Sequence, residues 1–368
     1  MSAVSFDPAR TPLDPAAPDL AAGFENWHSD TRTRVLAELA DFLRQARVKE
    51  LPDVGVDEVL AQYAIGGKCL RSGFMYLGWL CAGAPDAAAV RAAASLELLH
   101  AFALLQDDVM DDAVLRRGSD AAHVRLNARF GGRAGAVPGF GTSAATLLGD
   151  MCLVWSEQML RESGVGTDAL ARLWPRYDAM RIELAVGQFA DLANDVRERP
   201  SLDTVLGIAR AKSGNYTVRR PLELGAALAG ASESMLTCLG DYGTRIGEAF
   251  QLRDDLLGIF GADSVTGKPQ DSDLGQHKAT SVVVAALELA RGSAHRELAD
   301  LVDRPELDAA AIARCRTLIA ASGAPEQIED MIAERVRDAG RALRDCALGP
   351  DQHVALEQMA LQCSARQL

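Results

Sequence analysis

Apolar residues recur every three or four positions through most of this chain, and this helical period constrains the fold more than any other feature. The first such stripe consists of Val35, Leu36, Leu39, Phe42 and Leu43. The same spacing returns over residues 92–105, 170–189 and 328–343, whereas the apolar–polar alternation typical of strands is almost absent. Aromatic residues make up only 5% of the chain, which favours helices packed on helices. The pattern therefore predicts an all-α fold.

Short segments rich in Gly, Pro and Asp interrupt the helical pattern, and each is predicted to connect two helices. None is long or biased enough to separate two domains. Residues 1–27 contain many Pro, Asp and Ala residues and are predicted to be a flexible tail. Residues 28–368 are predicted to form one large all-helical domain, in which Pro325 lies at the start of one of the last helices.

The charge of the chain limits the partners it can have. It carries 38 Lys and Arg residues against 51 Asp and Glu residues, which gives a formal net charge of -13. An acidic chain without a basic block is a poor binder of polyanions through its overall field, so no nucleic-acid binding is expected. A small phosphorylated ligand can still be held by a few local cations or metal ions.

The seven cysteines are odd in number and widely scattered, with no CxxC pair. This pattern indicates neither a disulfide framework nor a zinc site, and it fits a reducing compartment. Residues 1–20 lack the basic and apolar regions of a secretory signal. No uninterrupted apolar stretch reaches the ~18 residues that span a bilayer. We therefore expect a cytoplasmic protein without stable membrane insertion.

A cluster of aspartates closes an apolar helical run, in the segment Gln106–Asp112. On a helix, Asp107 and Asp111 lie at positions i and i+4, and Asp108 lies three residues before Asp111, so three carboxylates share one face. Like charges at this spacing repel by only ~0.2–0.5 kcal/mol in water, but burial against an apolar wall costs on the order of several kcal/mol per ion. A divalent cation removes this cost, and oxygen ligands suit Mg²⁺. His100 lies on the same helical stripe and is either a ligand contact or a structural residue.

A second acidic pair, Asp254 and Asp255, lies inside the apolar segment FQLRDDLLGIF. One such pair alone indicates no more than a solvated helix end. Two acidic clusters, both embedded in Leu- and Phe-rich helices, are harder to explain in that way. Together they indicate a site for metal ions.

Basic residues supply the complementary half of such a site. Lys68 and Arg71 lie three positions apart at the start of a helix, and Arg116 and Arg117 follow the first acidic cluster. The remaining candidates are Lys212, Lys268 and Lys278. Any one of these residues alone is better explained as a surface cation than as part of a site. Combined with two acidic clusters of this kind, they indicate a cavity for two polyanionic ligands bridged by Mg²⁺.

An ordered set of short motifs in this chain resembles those of the trans-isoprenyl diphosphate synthases, also called polyprenyl synthetases. From about residue 60 to residue 280 they are GGKCLR, ELLH, DDVMD, RRG, LLGD, GQFAD, KSGNYT, FQLRDD and GKPQDSDLGQHKAT. DDxxD alone is a weak signal, but the whole set in this order is highly specific. The resemblance implies a bundle of mostly antiparallel helices around a deep central cavity, the isoprenoid synthase type of fold, usually as a homodimer.

The resemblance also implies roles for the matching positions. Three Mg²⁺ ions on the allylic diphosphate would be held by Asp107, Asp108, Asp111, Asp254 and Asp255. That diphosphate would be gripped by Arg116, Lys212, Lys268 and Lys278. Isopentenyl diphosphate would be bound by Lys68, Arg71, His100 and Arg117. Ser213 and Gln251 are implied as polar contacts, and Gln251 and Lys212 join the acidic residues as catalytic candidates.

The implied reaction explains why these residue types are needed. Ionising an allylic C–O bond releases pyrophosphate and leaves a carbocation, which the isopentenyl double bond then attacks. Metal ions and cationic side chains stabilise the charge that develops on the leaving group, and an apolar cavity keeps water away from the carbocation. No side-chain base is obvious for the final proton, which the departing pyrophosphate is expected to accept.

The chain departs from the family pattern at several motif positions. Gly258 stands where many members have the third Asp of the second cluster. Cys69 and Ser72 replace the commoner Arg and Pro, and Gln106 stands where His is often found. Metal binding at the second cluster is therefore expected to depend on its two remaining aspartates.

Phe102 and Ala103 indicate the length of the product. In the family, a bulky side chain before the first cluster forms the floor of the pocket for the growing chain, and Phe102 lies five residues before Asp107, ~7.5 Å along a helix. Ala103 is small, and the cluster carries no insertion. These features resemble the enzymes that make geranylgeranyl diphosphate, with farnesyl and geranylfarnesyl diphosphate as alternatives. Alternatively, Phe102 is an ordinary core residue, and another helix forms the floor of the pocket.

Two other functions would use part of this motif set. A class I terpene cyclase also uses DDxxD and Mg²⁺, but Asn194 and Asp195 lack the later ligands of a cyclase's second metal motif. The residues matched to the isopentenyl diphosphate site would have no purpose in a cyclase. A non-catalytic partner subunit is expected to have lost acids from the first cluster, which are all present here. The sequence therefore predicts a Mg²⁺-dependent prenyltransferase.

Overall fold

A computed structural model of the chain describes residues 17–46, 55–130, 138–194, 200–261 and 272–365. The predicted all-α fold is confirmed, because helices account for most of these residues. Within these ranges the only strands are β1 (Leu115–Arg116) and β2 (Ser119–Asp120), which pair in antiparallel fashion. This short hairpin carries two of the predicted basic residues, one in β1 and one in the turn.

The helices of the first half are α1 (Phe24–Gln45), α2 (Val56–Leu60), α3 (Leu70–Leu80), α4 (Ala87–Met110), α5 (Ala122–Phe130), α6 (Phe140–Arg161) and α7 (Thr167–Asn194). Those of the second half are α8 (Leu202–Ala209), α9 (Arg220–Leu228), α10 (Glu233–Phe260), α11 (Ser272–Gly275), α12 (Ser281–Leu289), α13 (Gly292–Val302), α14 (Ala309–Ala321), α15 (Ala324–Arg344) and α16 (Pro350–Ser364). Two segments, Ala61–Ile65 and Arg210–Arg219, are π-helical, and Leu20–Ala22 forms a 3-10 turn.

Side-chain caps determine where several helices begin. Asp86 and Asp308 each accept a hydrogen bond from a first-turn amide, of α4 and α14 respectively, at 2.7 Å. The helices α8, α10 and α12 are capped in the same way by Ser201, Ser232 and Thr280. Such caps satisfy amide groups that a helix leaves unpaired at its first turn. As predicted, Pro325 lies in the first turn of α15.

The segment before α1 packs against α3. Tyr76 Oη donates a hydrogen bond to Pro18 O (2.7 Å), and Leu20 is buried. Helix α1 begins at Phe24, and Trp27 is completely buried. The predicted tail boundary at residue 27 therefore lies within this helix, and residues 1–16 lie outside the described ranges.

The described chain divides into two compact units. Unit 1 contains the chain up to Leu173, together with Leu224–Ala231 and Pro350–Gln352. Unit 2 contains Trp174–Glu223, Ser232–Gly349 and the residues from His353 onward. A single domain over residues 28–368 stays a prediction. Each unit holds one of the two predicted acidic clusters.

Helix α4 is the core helix of unit 1. It packs against α1, α3, α5 and α6, and side chains such as Leu96, Leu98 and Leu99 are completely or almost completely buried. A helix that is apolar around its whole circumference belongs in a core. By length and composition α4 could also cross a membrane, but 67% of its most apolar window is buried inside the protein. Its place in the core therefore accounts for its apolar character.

Helix α10 has the corresponding role in unit 2. Leu252, Leu256 and Ile259 form a core with side chains of α12, α14 and α15. Arg253 is buried as well, and it donates hydrogen bonds to both carboxylate oxygens of Glu329 (2.5 and 2.6 Å) and to Ser364 O (2.7 Å). The basic residue of the FQLRDD motif therefore anchors the C-terminal helices.

Cys238 on α10 and Cys346, just after α15, form a disulfide bond. The expectation that the cysteines form no disulfide is therefore wrong. The two residues are 108 positions apart in the sequence, and their Cα atoms lie 5.9 Å apart. Only the packing of α15 along α10 brings them together, which no spacing in the sequence reveals. The other five cysteines are buried.

We expect this disulfide to stabilise unit 2. A disulfide typically stabilises a folded protein by about 2–4 kcal/mol, which the entropic account attributes to restriction of the unfolded chain. Reduction with dithiothreitol should lower the free energy of unfolding, measured by urea denaturation, by an amount in that range.

Two variants control this experiment. Cys346→Ser should show the same loss of stability and no further response to the reductant. Cys152→Ser, in unit 1, should keep the response of the wild type, whatever its own cost in stability. Identical unfolding curves with and without dithiothreitol would contradict the cross-link.

Candidate functional site

The first acidic cluster lies where helix α4 ends. Met110 is the last helical residue, and the amide of Asp111 donates a hydrogen bond to Asp107 O (2.8 Å). The side chains of Asp107 and Asp111, one turn apart, are partly exposed, whereas Asp108 is completely buried. The three carboxylates predicted to share one face are thus divided, with two at the surface of unit 1 and one in its interior.

Two side chains hold the buried carboxylate of Asp108. Tyr63 Oη donates to Oδ2, and Arg116 donates to Oδ1 through Nε (2.8 Å) and through Nη2. Tyr63 Oη also accepts a hydrogen bond from Ala122 N (3.0 Å). Burial, together with the charge of Asp108, raises the pKa of Tyr63 far above its ordinary value. The phenol therefore stays protonated and keeps donating to Asp108.

Arg116 bridges the first two aspartates of the cluster. Its Nη2 lies 3.3 Å from Asp107 Oδ2, and its side chain is only 11% exposed. Burial by itself lowers the pKa of a guanidinium, but Asp108 and Asp107 together outweigh this effect and raise the pKa of Arg116 above its ordinary value. Arg116 is therefore a permanent cation held beside the partly exposed carboxylates.

Arg117 reaches from the β-hairpin to the loop that precedes α3. Its Nη1 donates a hydrogen bond to Gln62 O (2.7 Å). A Cβ atom at Gly66 would lie 2.8 Å from Gln62 O and 2.9 Å from Arg117 Nη1. Only glycine at this position of the GGKCLR motif leaves room for the guanidinium.

His100 lies on α4 close to several of the predicted cations. Burial, and then the charges of Arg71, Arg117 and Arg116, lower its pKa well below the ordinary value. His100 is therefore neutral at pH 7 in this structure. Arg71 lies in the first turn of α3, and Lys68 is exposed in the loop before it. Unit 1 thus contains all four residues matched to the isopentenyl diphosphate site.

The second acidic cluster, on α10 of unit 2, is also divided by burial. Asp255 is buried and accepts hydrogen bonds from Ser281 N (3.0 Å), Ser281 Oγ (2.6 Å) and Gln251 Nε2 (2.8 Å). Burial raises the pKa of Asp255 to about 6, although these donors oppose the shift. Asp255 therefore ties α10 to the start of α12, and the half-buried Asp254 is the carboxylate of this pair that a ligand can reach.

Asp273 occupies the place of the third acid that the second cluster lacks. A Cβ atom at Gly258 would lie 1.9 Å from Asp273 Oδ2, so the carboxylate fills the space of the absent side chain. Its charge also contributes to the raised pKa of Asp255. Asp273 was not among the predicted site residues, although it belongs to the motif GKPQDSDLGQHKAT. Asp273 could have been found from the sequence, because Gly258 stands where an acid is expected and the next motif contains an aspartate.

Lys212 lies in the second π-helical segment, where it is paired with Asp191 of α7. Its Nζ lies 2.6 Å from Asp191 Oδ2. A Cβ atom at Gly187 would lie 2.5 Å from Lys212 N, so α7 crosses this segment at a glycine. Gly187 and Asp191 are four residues apart and share one face of α7, which explains the spacing of the GQFAD motif. Asp191 is a second residue that was not predicted, although its motif was recognised.

The same π-helical segment lies close to α10. A Cβ atom at Gly247 would lie 2.4 Å from Gly214 O, so the two backbones meet at a pair of glycines. π-Helical turns are frequent at functional sites. Ser213, next to Lys212, is half-buried, whereas Tyr216 is 3% exposed and belongs to the core.

Of the last two predicted cations, Lys268 and Lys278, the structure describes Lys278, which follows α11. The amide of Lys278 donates a hydrogen bond to Asp273 O (3.0 Å), and His277 before it has a φ of 56°. This left-handed residue turns the chain between α11 and α12. Lys268 lies outside the described residues, as do residues 131–137 of a Gly-rich segment that covers residues 131–141.

The distribution of carboxylates fits Mg²⁺ that is shared with a substrate. Within the described ranges, no group of three or more His, Cys, Asp or Glu side chains is arranged to hold a metal ion. Mg²⁺ is usually bound through one or two carboxylates together with substrate phosphates, and not by an all-protein cage. Asp107 and Asp111 in unit 1, and Asp254 in unit 2, offer oxygen ligands of this kind. Asp108 and Asp255, also predicted as ligands, differ from these three in being buried, with their carboxylates held by protein donors.

Phe102 and Ala103 lie on α4 and are both half-buried. One turn later, Gln106 Nε2 donates a hydrogen bond to Asp150 Oδ1 of α6 (3.2 Å), and a Cβ atom at Gly149 would lie 3.1 Å from Gln106 Nε2. Helices α4 and α6 therefore pack closely just before the acidic cluster, with Phe102 one turn away from this contact.

Comparison with known proteins identifies the family. Residues 55–319 match the model of the polyprenyl synthetase family. The geranylgeranyl diphosphate synthase of Mycobacterium tuberculosis (strain ATCC 25618 / H37Rv) is 33% identical over 295 residues, which cover 80% of this chain and 79% of that protein. The geranylfarnesyl diphosphate synthase of Aeropyrum pernix is 31% identical over 281 residues, which cover 74% of this chain and 82% of that protein.

A solved structure extends this similarity to the fold. The crystal structure of geranylgeranyl pyrophosphate synthase from Corynebacterium glutamicum, complexed with isoprenyl diphosphate and magnesium, matches with a TM-score of 0.86 and 31% identity. The match covers 94% of this chain and 99% of that chain. On these grounds, the chain belongs to the polyprenyl synthetase family and is a prenyl diphosphate synthase.

Proposed function

We propose that this prenyl diphosphate synthase condenses isopentenyl diphosphate with allylic diphosphates and stops mainly at geranylgeranyl diphosphate. Phe102, a half-buried aromatic residue five positions before Asp107 on α4, is the observation that carries the product length. The Mycobacterium and Corynebacterium proteins named for this product support the proposal. The Aeropyrum relative supports geranylfarnesyl diphosphate as the longer alternative, and farnesyl diphosphate is the shorter one.

We propose that Mg²⁺ binds Asp107 and Asp111 in unit 1 and Asp254 in unit 2, and the family resemblance supports three ions. Bound Mg²⁺ would stabilise the negative charge that pyrophosphate gains as it leaves. Asp108 and Asp255 then act as positioning residues. Asp108 holds Arg116 in place, and Asp255 holds Gln251 and the start of α12.

The basic side chains bind and orient the two diphosphates. We assign to the allylic diphosphate the residues Arg116, Lys212, Lys268 and Lys278, with Ser213 as a further polar contact. We assign to isopentenyl diphosphate the residues Lys68, Arg71, Arg117 and His100. The other three residues supply permanent positive charge to this site, and His100 adds a hydrogen bond from its imidazole ring.

These groups act on a simple sequence of bond changes. The C–O bond of the allylic diphosphate breaks, and pyrophosphate leaves with the electron pair. The isopentenyl double bond attacks the allylic cation and forms the new C–C bond. The proton released in the last step is assigned to the departing pyrophosphate.

We further propose that the chain forms a homodimer. Leu147 and Val154 lie two turns apart on α6 and are 63% and 61% exposed. Exposed apolar side chains on one helix face favour contact with another protein surface, and a second copy of the chain is the simplest partner.

A cytoplasmic location also stays a prediction, because the Cys238–Cys346 disulfide is unusual in a reducing compartment.

Product analysis tests the proposed function. The purified protein is incubated with Mg²⁺, isopentenyl diphosphate and, separately, dimethylallyl, geranyl or farnesyl diphosphate, and the dephosphorylated alcohols are separated by chromatography. We expect a dominant twenty-carbon alcohol. Fifteen- or twenty-five-carbon alcohols would replace the assigned product, and a cyclic hydrocarbon made from one prenyl diphosphate would contradict the reaction.

Asp107→Asn should lower the rate of elongation by at least about 100-fold, because it removes a charged ligand that stabilises the leaving group. Asp112→Asn is the matched control, since Asp112 is the fully exposed neighbour of the cluster. It should retain nearly the rate of the wild type. Both rates are measured over a range of Mg²⁺ concentrations, and near-normal turnover of the Asp107 variant would refute the metal assignment.

Phe102→Ala should shift the products beyond twenty carbons, because it removes the proposed floor of the chain pocket. Leu104→Ala is the control, since Leu104 is a half-buried residue of the same helix that points in a different direction. Chromatography of the alcohols should show longer products for the Phe102 variant alone. An unchanged product spectrum would mean that another residue sets the length.

A further inference from the structure

Glu97 is a carboxylate in the apolar middle of α4, and it is only 3% exposed. None of the roles assigned above involves it. A carboxylate in a core is strongly unfavourable unless it is paired and hydrogen-bonded. The contacts of Glu97 therefore show which groups it stabilises.

Ser72, in the first turn of α3, donates two hydrogen bonds to Glu97. Ser72 N lies 3.3 Å and Ser72 Oγ lies 2.8 Å from Glu97 Oε1. The hydroxyl also lies 3.1 Å from Cys69 O. Since a hydroxyl has a single hydrogen, the closer and charged acceptor takes it.

This contact gives a reason for one departure from the family pattern. The commoner residue at position 72 is Pro, which has neither an amide hydrogen nor a hydroxyl. With Pro, Glu97 would lose both of these donors. The segment that Ser72 anchors to α4 also carries Lys68 and Arg71, two of the cations assigned to isopentenyl diphosphate.

The other oxygen of Glu97 faces Arg117, a third cation of the same site. A Cβ atom at Gly67 would lie 3.6 Å from Glu97 Oε2 and 3.4 Å from Arg117 Nη2. Both charged groups therefore lie close to this glycine. Burial lowers the pKa of Arg117, and the charge of Glu97 opposes that shift. Arg32 of α1 adds a further cation nearby, since its Nη2 donates to Gly67 O (3.3 Å).

We propose that Glu97 and Ser72 form a latch that positions the isopentenyl diphosphate site, with Glu97 acting through the first turn of α3 and through Arg117. In this proposal Glu97 is a positioning residue, because it acts through Ser72 and Arg117. The proposal rests on the assignment of this site to isopentenyl diphosphate under the proposed function.

Glu97→Ala should raise the KM for isopentenyl diphosphate about tenfold, the size expected for the loss of hydrogen bonds to a charged group. The KM for the allylic diphosphate should stay within about twofold of the wild type, because a twofold change in KM corresponds to only a small free-energy difference. Glu97→Gln keeps an acceptor for Ser72 but loses the charge, so its KM for isopentenyl diphosphate should lie between those of the wild type and Glu97→Ala. Glu38→Gln is the control, because it neutralises a part-buried carboxylate elsewhere in unit 1, which pairs with Arg91 at 2.9 Å.

The direction of the change separates positioning from simple electrostatics. If Glu97 acted only as a negative charge near the diphosphate, its removal would reduce repulsion and lower the KM. A lower or unchanged KM for isopentenyl diphosphate in Glu97→Ala would therefore overturn the latch. Equal changes for both substrates would also overturn it, because they would indicate general damage to the fold.

Variants of Ser72 test the latch from the other side. Ser72→Ala removes the hydroxyl alone, whereas Ser72→Pro removes both donors and is tolerated in the first turn of a helix. The KM for isopentenyl diphosphate should rise in Ser72→Ala and rise further in Ser72→Pro. A Ser72→Pro variant with the KM of the wild type would contradict the proposal.

Calorimetric titration of isopentenyl diphosphate, without an allylic substrate, examines the same site in the absence of turnover. If the wild type binds but does not elongate, the proposed function fails, and the affinities of the Glu97 and Ser72 variants still decide on the latch. If the wild type elongates but the variants bind as it does, only the latch fails. A wild type that binds no isopentenyl diphosphate would overturn the latch as well.

Discussion

Helix α4 imposes the constraint on which unit 1 depends: it is apolar on nearly every side, and yet it carries carboxylates that must be satisfied where they are buried. Asp108 receives donors from Tyr63 and Arg116, and Glu97 receives them from Ser72. Because a buried charge without partners is strongly unfavourable, these contacts determine where the neighbouring segments lie. The π-helical turn, the start of α3 and the β-hairpin are therefore held against one core helix.

In unit 2, glycines as well as buried charges hold neighbouring segments together. The π-helical segment with Lys212 approaches α7 at Gly187 and α10 at Gly247, where no side chain keeps the backbones apart. Buried Asp255 ties α10 to the start of α12, and buried Arg253 ties it to the C-terminal helices. As a result, the acidic pair of α10 is held by packing on both sides, and Asp254 is the more exposed carboxylate of the two.

Much of the fold and part of the site could be predicted because they depend on local spacing. The helical period predicted the all-α class, and Pro325 marked the start of α15, since both signals act within a few turns of chain. The motif order pointed to the family. Spacing alone could not separate Asp107 and Asp111 from Asp108, because residues on one helical face differ in burial only through what packs against them. Tyr63, which holds Asp108 across 45 residues of sequence, belongs to no recognised motif.

The sequence by itself determined the helical class, the two acidic clusters and the family to which the chain belongs, because each is written in the identity and spacing of nearby residues. Tertiary structure alone decided which carboxylates are buried, that Asp273 replaces the acid missing at Gly258, and that Cys238 meets Cys346. It also decided that Ser72 donates hydrogen bonds to Glu97. These outcomes depend on contacts between segments that are distant in the chain, and burial and pairing exist only once those segments have packed together.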